Sequence, residues 1–486
     1  MRIWPLCVML LFVSCSRDEH RQTENNRGFT LMTSGQTGID FSNDLSYTER
    51  INTYTYRNFY NGAGIALGDI NNDGLLDIYI SGNQVDSKLY LNKGDFNFED
   101  ITAIAGVAAT SSWSTGVSMA DVNGDGYIDL YVCKSGPPRL SGQPGESTRH
   151  NQLFINNGDL TFTDKAKQYQ VADNGLSTHA AFFDYDKDGD LDMYLLNNST
   201  RPIGAYDLKL GRRMERDPEG ANKLYRNDGD YFTDVSEAAG IYGSAIGYGL
   251  GVTVGDVNKD GWQDIFISND FFERDYLYLN DQNGAFSEVL EESMTEISMG
   301  SMGADMGDLN NDGLPEIYVT EMLPDSLSRI KTKTVFESWD KYQTNVKNGY
   351  HHQFTRNALQ LNNGVNHRNK LTFSEISRIT GLEATDWSWG ALIFDYNNDT
   401  HKDIFVANGI FKDLMDHDYV NFYANNNLFI SKYKADSTVL TNLIAKIPST
   451  PLQNYLFKNH GDLQFSNEAD ALKLDHRGFS NGAVYG

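Results

Sequence analysis

The sequence predicts an all-β fold, namely a seven-bladed β-propeller of four-stranded antiparallel blades whose last blade is incomplete in this chain. Composition is the first reason, because 44 Gly and 12% aromatic residues among 486 are typical of short strands joined by tight turns. The second reason is an acidic loop between two short apolar segments, which recurs six times along the chain. A ring of such repeats buries the sheet edges that a single repeat would leave open.

Ahead of the repeats, residues 1–15 are predicted to be an export signal. Arg2 is followed by an apolar run from Ile3 to Val13, which is too short to span a bilayer as a permanent helix. Ser14 and Cys15 follow as in a lipoprotein processing box, so we expect cleavage before Cys15 and attachment of a lipid to its thiol. The alternative is an ordinary signal peptide with a cysteine at this place by chance.

The next segment, residues 16–27, is polar throughout and is predicted to be a flexible tether to the propeller at residues 28–486. Its acidic pair, Asp18 and Glu19, resembles the surface-export signal of Bacteroidetes lipoproteins. We therefore expect an exported outer-membrane lipoprotein that is exposed at the cell surface. Its contact with the membrane would be the lipid anchor at Cys15.

Each repeat contains four strand-like segments, the number needed for one blade. In the first repeat, short apolar segments flank the acidic loop at residues 69–77, and further segments begin at Lys88 and Phe98. Their β-branched and aromatic residues and their short length predict strands and not helices. The order is strand, acidic loop, strand, connection, strand, turn and strand, which predicts an antiparallel blade.

The two ends of the chain are expected to form the seventh blade together. The segment that begins at Phe479 aligns with the segment that begins at Phe59 in the first repeat, so we expect it to be an inner strand. Residues 29–32 and 39–43 are expected to be the outer strands of the same blade. Because the alignment breaks off at Gly486, before the next acidic loop, we interpret the chain as truncated at its C-terminus.

The acidic loops predict bound calcium. In the first loop, oxygen ligands stand at alternate positions: Asp69, Asn71, Asp73, the carbonyl of Leu75, and Asp77. Hard oxygen ligands at this spacing suit Ca²⁺, and the glycine at the sixth position allows a sharp turn. The alternative is turn chemistry without a metal, which is disfavoured because the close carboxylates would repel one another.

The other five loops repeat this pattern, so we expect several structural calcium ions per chain. The third loop has four carboxylates among its ligands and is predicted to bind most tightly, whereas Thr400 replaces glycine in the sixth loop and predicts the weakest site. The remaining predicted ligands are Asp121, Asn123, Asp125, Tyr127, Asp129, Asp184, Asp186, Asp188, Asp190, Asp192, Asp256, Asn258, Asp260, Trp262, Asp264, Asp308, Asn310, Asp312, Leu314, Glu316, Asp395, Asn397, Asp399 and Asp403.

The repeats and two further motifs resemble a known family. The motifs are Tyr56-RNFYNGAG and Thr385-DWSWGALIFDYNND, and the family is the FG-GAP/VCBS repeat propellers, whose founding example is the integrin α-subunit head. More closely, residues 28–486 resemble a bacterial lipoprotein branch related to cartilage acidic protein and to ASPIC/UnbV-domain proteins. The resemblance implies calcium in the loops, an extracellular location and a role in binding or adhesion.

A ligand is expected on the face opposite the acidic loops. The long insertions, at residues 133–151, 197–222, 320–357 and 408–454, all join second to third strands and so lie on that face. It would bind a glycan or an extracellular protein, because aromatic side chains suit both; the alternative is that these aromatics only pack the long loops. The predicted ligand-face residues near the central channel are Trp113, His179, Tyr248, Trp387 and Trp389.

We expect neither nucleic-acid binding nor enzymatic activity. The formal charge is −26, and nucleic acids require clustered Lys and Arg. Gly478-Phe479-Ser480-Asn481-Gly482 fits a nucleophile motif but occupies a strand register with no elbow to a helix. Two alternatives stay open: a component of polysaccharide-processing machinery with catalytic activity on the channel face, and a scaffold for a missing C-terminal ASPIC/UnbV-like domain.

Overall fold

The computed structural model describes residues 28–110, 113–136, 149–199, 212–334, 338–421 and 438–486. The predicted signal peptide at 1–15, the lipidation residue Cys15 and the tether at 16–27 lie outside these ranges and stay predictions. Within the described ranges, no helix has both the length and the apolar character needed to cross a membrane.

The described residues form six four-stranded antiparallel sheets, each in chain order. Blades 1 to 3 contain β1 (Ile65–Gly68), β2 (Asp77–Ile80), β3 (Lys88–Asn92) and β4 (Phe98–Asp100); β5 (Trp113–Ala120), β6 (Asp129–Ser135), β7 (Gln152–Asn156) and β8 (Phe162–Asp164); and β9 (Ser177–Phe183), β10 (Asp192–Asn197), β11 (Lys223–Asn227) and β12 (Phe232–Asp234). Blades 4 to 6 contain β13 (Gly249–Gly255), β14 (Asp264–Asn269), β15 (Tyr276–Asn280) and β16 (Phe286–Glu288); β18 (Ala304–Gly307), β19 (Glu316–Val319), β21 (Ala358–Val365) and β22 (Leu371–Glu375); and β23 (Ser388–Phe394), β24 (Asp403–Asn408), β26 (Tyr455–Asn459) and β27 (Phe465–Asn467). The predicted all-β propeller of four-stranded antiparallel blades is confirmed, and six blades are described where seven were predicted.

Short elements lie outside the blades, mostly in the insertions. β17 (Ile297–Ser298) pairs in parallel with β20 (Gln353–Phe354), and β25 (Leu452–Gln453) pairs antiparallel with β28 (Arg477–Gly478). The helices are α1 (Ser34–Thr37), α2 (Thr102–Ala105), α3 (Leu290–Ser293), α4 (Leu327–Lys333), α5 (Trp339–Lys347), α6 (Ser377–Thr380), α7 (His417–Tyr419) and α8 (Thr438–Ala445), with 3₁₀ turns at Arg57–Tyr60 and Arg212–Met214.

Apolar side chains from adjacent blades form the core. Between blades 1 and 2, Tyr79 and Leu89 pack with Leu130, Val132 and Phe154 in one buried cluster. Full burial of each such side chain contributes about 1.5–3 kcal/mol. Because a central strand is covered by neighbours on both faces, β6 is buried at every residue and lacks the alternation of polar and apolar residues seen in half-exposed strands.

The innermost strands approach one another closely around a central channel. A Cβ atom added at Gly116 in β5 would lie only 2.4 Å from the main-chain oxygen of Thr178 in β9. The same holds at Gly303, next to β18, whose added Cβ would lie 2.4 Å from the oxygen of Trp389. Glycine is therefore required at these positions by contact between blades and not by turn geometry.

The two end segments lie between blade 6 and blade 1. Tyr485 stacks on Phe394 of β23 at 4.5 Å, and an added Cβ at Gly482 would lie 3.4 Å from Ile65 of β1. At the periphery, the main-chain N–H of Phe29 donates to the carbonyl of Leu472 beyond blade 6 at 2.8 Å. Residues 29–32 and 39–43 are not strands in the structure, so their prediction as outer strands of a seventh blade is wrong. Residues 479–486, predicted as an inner strand, are likewise not a strand here.

Residues 45–60 cover the channel on the face of the long insertions. We call this segment the cap. Its aromatic residues Tyr56, Phe59 and Tyr60 are buried in a cluster that includes Trp113 and Trp389 from the inner strands. The Tyr56 hydroxyl donates to Ser135 Oγ at 2.8 Å, at the end of β6. The insertion face therefore carries a packed lid of the chain's own residues over the channel.

Candidate metal centres and the capped channel

The first acidic loop is a tight turn in which main-chain amides hold the carboxylates. The N–H of Asp73 donates to Asp69 Oδ1 at 3.1 Å, and the N–H of Gly74 donates to Asp69 Oδ2 at 2.8 Å. The N–H of Leu75 donates to Asp73 Oδ1 at 2.9 Å. These bonds leave further lone pairs on each carboxylate, so the oxygens at alternate positions stay available for a cation.

Four other loops repeat this geometry. The N–H of the fifth residue donates to the first carboxylate at 3.0–3.1 Å in the loops that begin at Asp121, Asp256, Asp308 and Asp395. The predicted ligands at positions one, three and five are thus brought together in each loop. An identical arrangement at separate places in the chain shows that the D-x-N-x-D spacing itself determines the local structure.

The third loop has the densest set of carboxylates. Ligand oxygens of Asp184, Asp186 and Asp188 all lie within 4.8 Å of one another. Asp184 Oδ1 and Asp186 Oδ1 are buried and have no hydrogen-bond partner among the described residues. Burial, followed by the neighbouring Asp188, raises the pKa of Asp186. The donor set fits a divalent cation, which would supply the missing partner for these oxygens.

The acid at the ninth position is buried and joins the loop to the rest of its blade. Asp129 Oδ2 accepts from the N–H of Val122 at 3.0 Å, and Oδ1 accepts from the N–H of Asn156 in β7 at 2.8 Å. Burial raises the pKa of Asp129 to about 7, with Asp125 contributing in the same direction. The same two kinds of bond are made by Asp77, Asp192, Asp264 and Asp403. These predicted ligands are therefore also structural links.

An asparagine that the sequence analysis did not single out joins each of the first five loops to the next blade. Asn156 Nδ2 donates to the carbonyl of Ile70 in the preceding loop at 2.8 Å and to that of Ile128 in its own loop at 3.1 Å. The counterparts that donate to a preceding loop are Asn227, Asn280, Asn362 and Asn459. The signal was present in the sequence, because an Asn recurs at the same position of each third strand, shortly before a tight turn.

The sixth loop keeps its shape although Thr400 replaces glycine. Thr400 has a φ of +76°, in the left-handed region where the glycines of the other loops lie. Its N–H donates to Asp395 Oδ2 at 2.8 Å, as the glycine N–H does elsewhere. A β-branched residue in this region is strained. The strain agrees with the expected weakness of this site, which stays a prediction.

The central channel encloses a volume of about 510 Å³. Its wall includes Thr178, His179 and Asp305 from the inner strands, and Asn58 of the cap borders it. Burial lowers the pKa of His179. Asp305 Oδ2 accepts from the N–H of Ile393 at 2.7 Å, which joins blade 5 to blade 6.

Three of the five predicted ligand-face residues are buried beneath the cap. Trp113, Tyr248 and Trp389 are 6%, 5% and 7% exposed. The Trp113 ring contacts Tyr56 and Phe59 of the cap with centroid distances of 5.1 and 5.4 Å. The expectation that these residues form an open ligand surface is therefore corrected.

The other contacts of the five predicted ligand-face residues are also with the cap, with neighbouring residues or with the channel. The Tyr248 hydroxyl is hydrogen-bonded to Asn58 of the cap, and Trp389 Nε1 donates to the carbonyl of Gly409 at 2.8 Å. Trp387 is half-buried beside the cap, and His179 lines the channel. The sequence analysis assigned Tyr56 and Phe59 to a family motif but did not predict the cap, because the motif gives no indication that this segment packs over the channel.

Comparison with known proteins agrees with this architecture. Four stretches match the FG-GAP-like repeat, at residues 69–132, 141–195, 212–267 and 256–319, and together they contain the first five acidic loops. The chain is a β-propeller that contains FG-GAP-like repeats. The predicted resemblance is confirmed.

Two curated relatives of the propeller are informative. Cartilage acidic protein 1 of Xenopus tropicalis is 32% identical over 234 residues, which are 48% of this chain and 32% of that protein. Human integrin alpha-6 is 41% identical over 88 residues, which are 16% of this chain and 8% of that protein. The chain thus spans about a third or less of the length of these relatives. Among solved structures, the Vibrio cholerae biofilm matrix protein Bap1 is 14% identical with a TM-score of 0.31, over 64% of this chain and 39% of that one.

An exposed aromatic pair of the propeller lies on the insertion between β19 and β21. Trp339 in α5 is 70% exposed and stacks on Tyr342 with ring centroids 5.3 Å apart. The Tyr342 hydroxyl is 2.6 Å from His352 Nδ1, which fixes the ring from behind. Lys341 lies over the ring of Phe272 at 5.0 Å. This rigid aromatic pair is available to a partner on the insertion face.

Proposed function

We propose that this FG-GAP propeller is a calcium-braced, surface-anchored extracellular module that binds a glycan or an extracellular protein without chemical turnover. Its relation to integrin α subunits and cartilage acidic protein supports a binding or adhesion role. The observation that carries the calcium is the convergence of Asp184, Asp186 and Asp188 within 4.8 Å. Oxygen ligands alone, repeated in six loops, favour Ca²⁺ over softer metals.

The proposed ligand surface is the aromatic pair of α5, and not the aromatics beneath the cap. Trp339 presents a flat apolar face that Tyr342 holds in place, so little conformational entropy is lost when a partner binds. Aromatic anchors of this kind dominate the energetics of many protein interfaces, and a sugar ring can lie on the same face. The insertion face also points away from the acidic loops, so binding and metal bracing use different surfaces.

The experiment is a capture screen against polysaccharides and extracellular matrix proteins. The mature protein is compared with Trp339→Ala, with Trp389→Ala and with Tyr231→Ala, which removes an aromatic that is 43% exposed in the turn before β12. We expect Trp339→Ala to abolish capture with no loss of stability, and Tyr231→Ala to change neither. Trp389→Ala should lower stability by about 3–5 kcal/mol because its ring is buried. Unchanged capture by Trp339→Ala rejects this surface, and release of product from a polymer rejects a role without turnover.

Anchoring is proposed to depend on Cys15, and a separate experiment tests it. Cells that express the natural chain and Cys15→Ser are grown with labelled palmitate and then treated with protease from outside. We expect label and protease sensitivity for the natural chain, and loss of the label for Cys15→Ser. A labelled chain that resists external protease would place the propeller on the periplasmic side.

We further propose that a seventh blade closes the ring, with residues 479–486 as its innermost segment. The stacking of Tyr485 on Phe394 and the contact of Gly482 with Ile65 support this, because inner strands of adjacent blades touch in the same way. Asn92 of blade 1 donates to the carbonyl of Leu76 in its own loop, and its second acceptor would come from the seventh loop. A crystal structure of the protein would count the blades.

A further inference from the structure

The insertion face holds two buried carboxylates that the acidic loops do not account for. Asp270 is the first residue after β14 in blade 4, and Glu321 is the second residue after β19 in blade 5. They are 7% and 2% exposed. Gly300 lies between them, since a Cβ added there would be 3.0 Å from Asp270 Oδ1 and 3.4 Å from Glu321 Oε1. Both carboxylates therefore face the same small space beside a glycine.

Neither carboxylate forms an ion pair with a described residue, although the positive charge of Arg57 in the cap favours the ionised form of Asp270. Asp270 Oδ1 accepts from the adjacent N–H of Phe271 at 2.6 Å, and Glu321 Oε2 is buried with no hydrogen-bond partner in the described chain. Arg57 of the cap is exposed and lies over the Phe271 ring at 4.7 Å, without an ion pair to Asp270 or Glu321.

Of the six other buried carboxylates outside the acidic loops in the described chain, five form ion pairs and the sixth, Asp275, accepts two hydrogen bonds. Asp275 accepts from the N–H of Asn269 at 2.8 Å and from Ser301 Oγ at 2.9 Å. The rest form ion pairs, namely Asp173 with Lys223, Glu273 with Arg213, Asp386 with Arg329, Asp413 with Arg329 and Lys333, and Asp416 with Lys333.

Two buried like charges without an ion-pair partner cost several kcal/mol, and the exposed Arg57 compensates them only weakly, so a further partner is needed. A proton shared between Asp270 Oδ1 and Glu321 Oε1 would remove one charge but would leave Glu321 Oε2 without a partner. A cation held by both carboxylates uses this oxygen as well. We propose that Asp270 and Glu321 bind one divalent cation, Ca²⁺, between blades 4 and 5, with main-chain oxygens or water completing its coordination.

This site would differ from the loop sites in place and in effect. It lies on the insertion face, where Phe271 packs on Tyr248 with ring centroids 4.8 Å apart and Tyr248 is hydrogen-bonded to Asn58 of the cap. Its ligands come from two sheets, whereas each acidic loop draws its ligands from a single blade. Calcium here would therefore clamp two blades together beside the cap, without any D-x-D-x-D-G motif.

The test compares the full mature chain with Asp270→Asn/Glu321→Gln, which keeps the shape of both side chains. The matched control is Asp230→Asn/Glu237→Gln, which removes two exposed acids and the same net charge. Bound calcium per folded chain is measured by elemental analysis after equilibration in saturating calcium. We expect one ion fewer for the first variant and an unchanged number for the control. An equal number in all three proteins would overturn the proposal.

Thermal unfolding with and without calcium gives a second readout. We expect the paired variant to be at least as stable as the natural chain in calcium-free buffer, because the repulsion is gone, and less stable in calcium. An equal change of stability in both buffers would show that Asp270 and Glu321 have a structural role without calcium, and would contradict the proposal. If the variant does not fold, crystals of the natural chain are soaked in Mn²⁺ and anomalous diffraction is measured. A peak between Asp270 and Glu321 supports the site. No peak there, while the acidic loops contain Mn²⁺, overturns the proposal. Because every variant keeps all six loops, failure of this site is distinguishable from failure of loop binding.

Discussion

The side-chain amide of Asn156 donates a 2.8 Å hydrogen bond to the carbonyl of Ile70, which lies in the acidic loop of the preceding blade. Its second N–H reaches the carbonyl of Ile128 in its own blade, and its oxygen accepts from the N–H of Gly158. One buried side chain therefore fixes two acidic loops relative to each other. Calcium bound in one loop would be coupled through this contact to the packing of the next blade.

Replacement of this asparagine should be costly. Asn156→Ala leaves the buried carbonyls of Ile70 and Ile128 without their donor, so we expect the free energy of unfolding to fall by about 2–3 kcal/mol. The adjacent loops should also bind calcium less tightly. Urea unfolding at saturating calcium measures the first effect, and calcium titration measures the second.

The neighbouring residue provides the control for that substitution. Asn157 is exposed, and its side chain bonds only to Thr161 and Thr163 in the same turn. Asn157→Ala should therefore change the unfolding free energy by less than about 0.5 kcal/mol. Equal effects of the two substitutions would contradict a special role for the contact between blades.

Much of the propeller follows from short-range rules, and these rules were readable in the sequence. Gly68 pairs with Asp77, so the acidic loop necessarily closes a hairpin between β1 and β2. The blade pattern and the convergence of Asp69, Asn71 and Asp73 follow from this spacing. Contacts between repeats are different, because the Asn156 bond to Ile70 joins residues far apart in the chain.

The burial of aromatic residues beneath the cap could not be predicted from the repeats. Trp113 and Trp389 occupy strand positions that would line an open mouth if only the repeats were considered. Their burial depends on Phe59 and Tyr56, whose motif gives no indication that they pack across the channel. A tryptophan at such a position is equally consistent with an exposed platform and a packing anchor, so only tertiary structure could distinguish the two.

Relief of backbone strain in the sixth loop should stabilise the protein. Thr400 adopts a φ of +76°, where a β-branched residue costs about 1–2 kcal/mol. Thr400→Gly removes this cost but adds entropy to the unfolded chain, so we expect a net gain of about 0.5–1 kcal/mol. Thermal unfolding in saturating calcium measures it. Thr400→Ala, which keeps a Cβ atom, serves as control and should gain less; a destabilised Thr400→Gly variant would refute the strain argument.

Calcium binding in the third loop should depend on Asp186 and not on Asp190. Asp186→Asn removes one converging carboxylate, so we expect at least a tenfold weaker affinity for calcium at this loop and a lower melting temperature at limiting calcium. Asp190 stands at the position that offers its main-chain carbonyl, and Asp190→Asn keeps that group. Calcium titration followed by thermal unfolding compares the two variants. Equal affinities would count against the carboxylate cluster as the site.

The buried amine of Lys134 should make stability rise with pH in mildly alkaline solution. Lys134 is fully buried, and its Nζ donates to the carbonyl of Ala109 at 2.6 Å and to Ser114 Oγ at 2.8 Å. Burial lowers its pKa from 10.5 to about 8. Between pH 8 and 10.5 the unfolded chain therefore holds a proton that the folded chain lacks, so unfolding becomes harder by up to about 1.4 kcal/mol per pH unit.

Comparison with Lys134→Met isolates this effect. Burial raises the pKa of the adjacent Cys133 thiol, which opposes the rise above pH 9 because the unfolded thiol ionises first. Cys133 is present in both proteins, so its contribution cancels in the difference between their unfolding free energies. Lost hydrogen bonds to Ala109 and Ser114 shift the curve of Lys134→Met by a constant amount. Urea unfolding measures the difference in unfolding free energy between the natural chain and the variant. We expect this difference to be constant below pH 7.5 and to grow in favour of the natural chain from pH 8 to 9.5. A difference that does not change with pH would mean that Lys134 is neutral throughout or charged throughout.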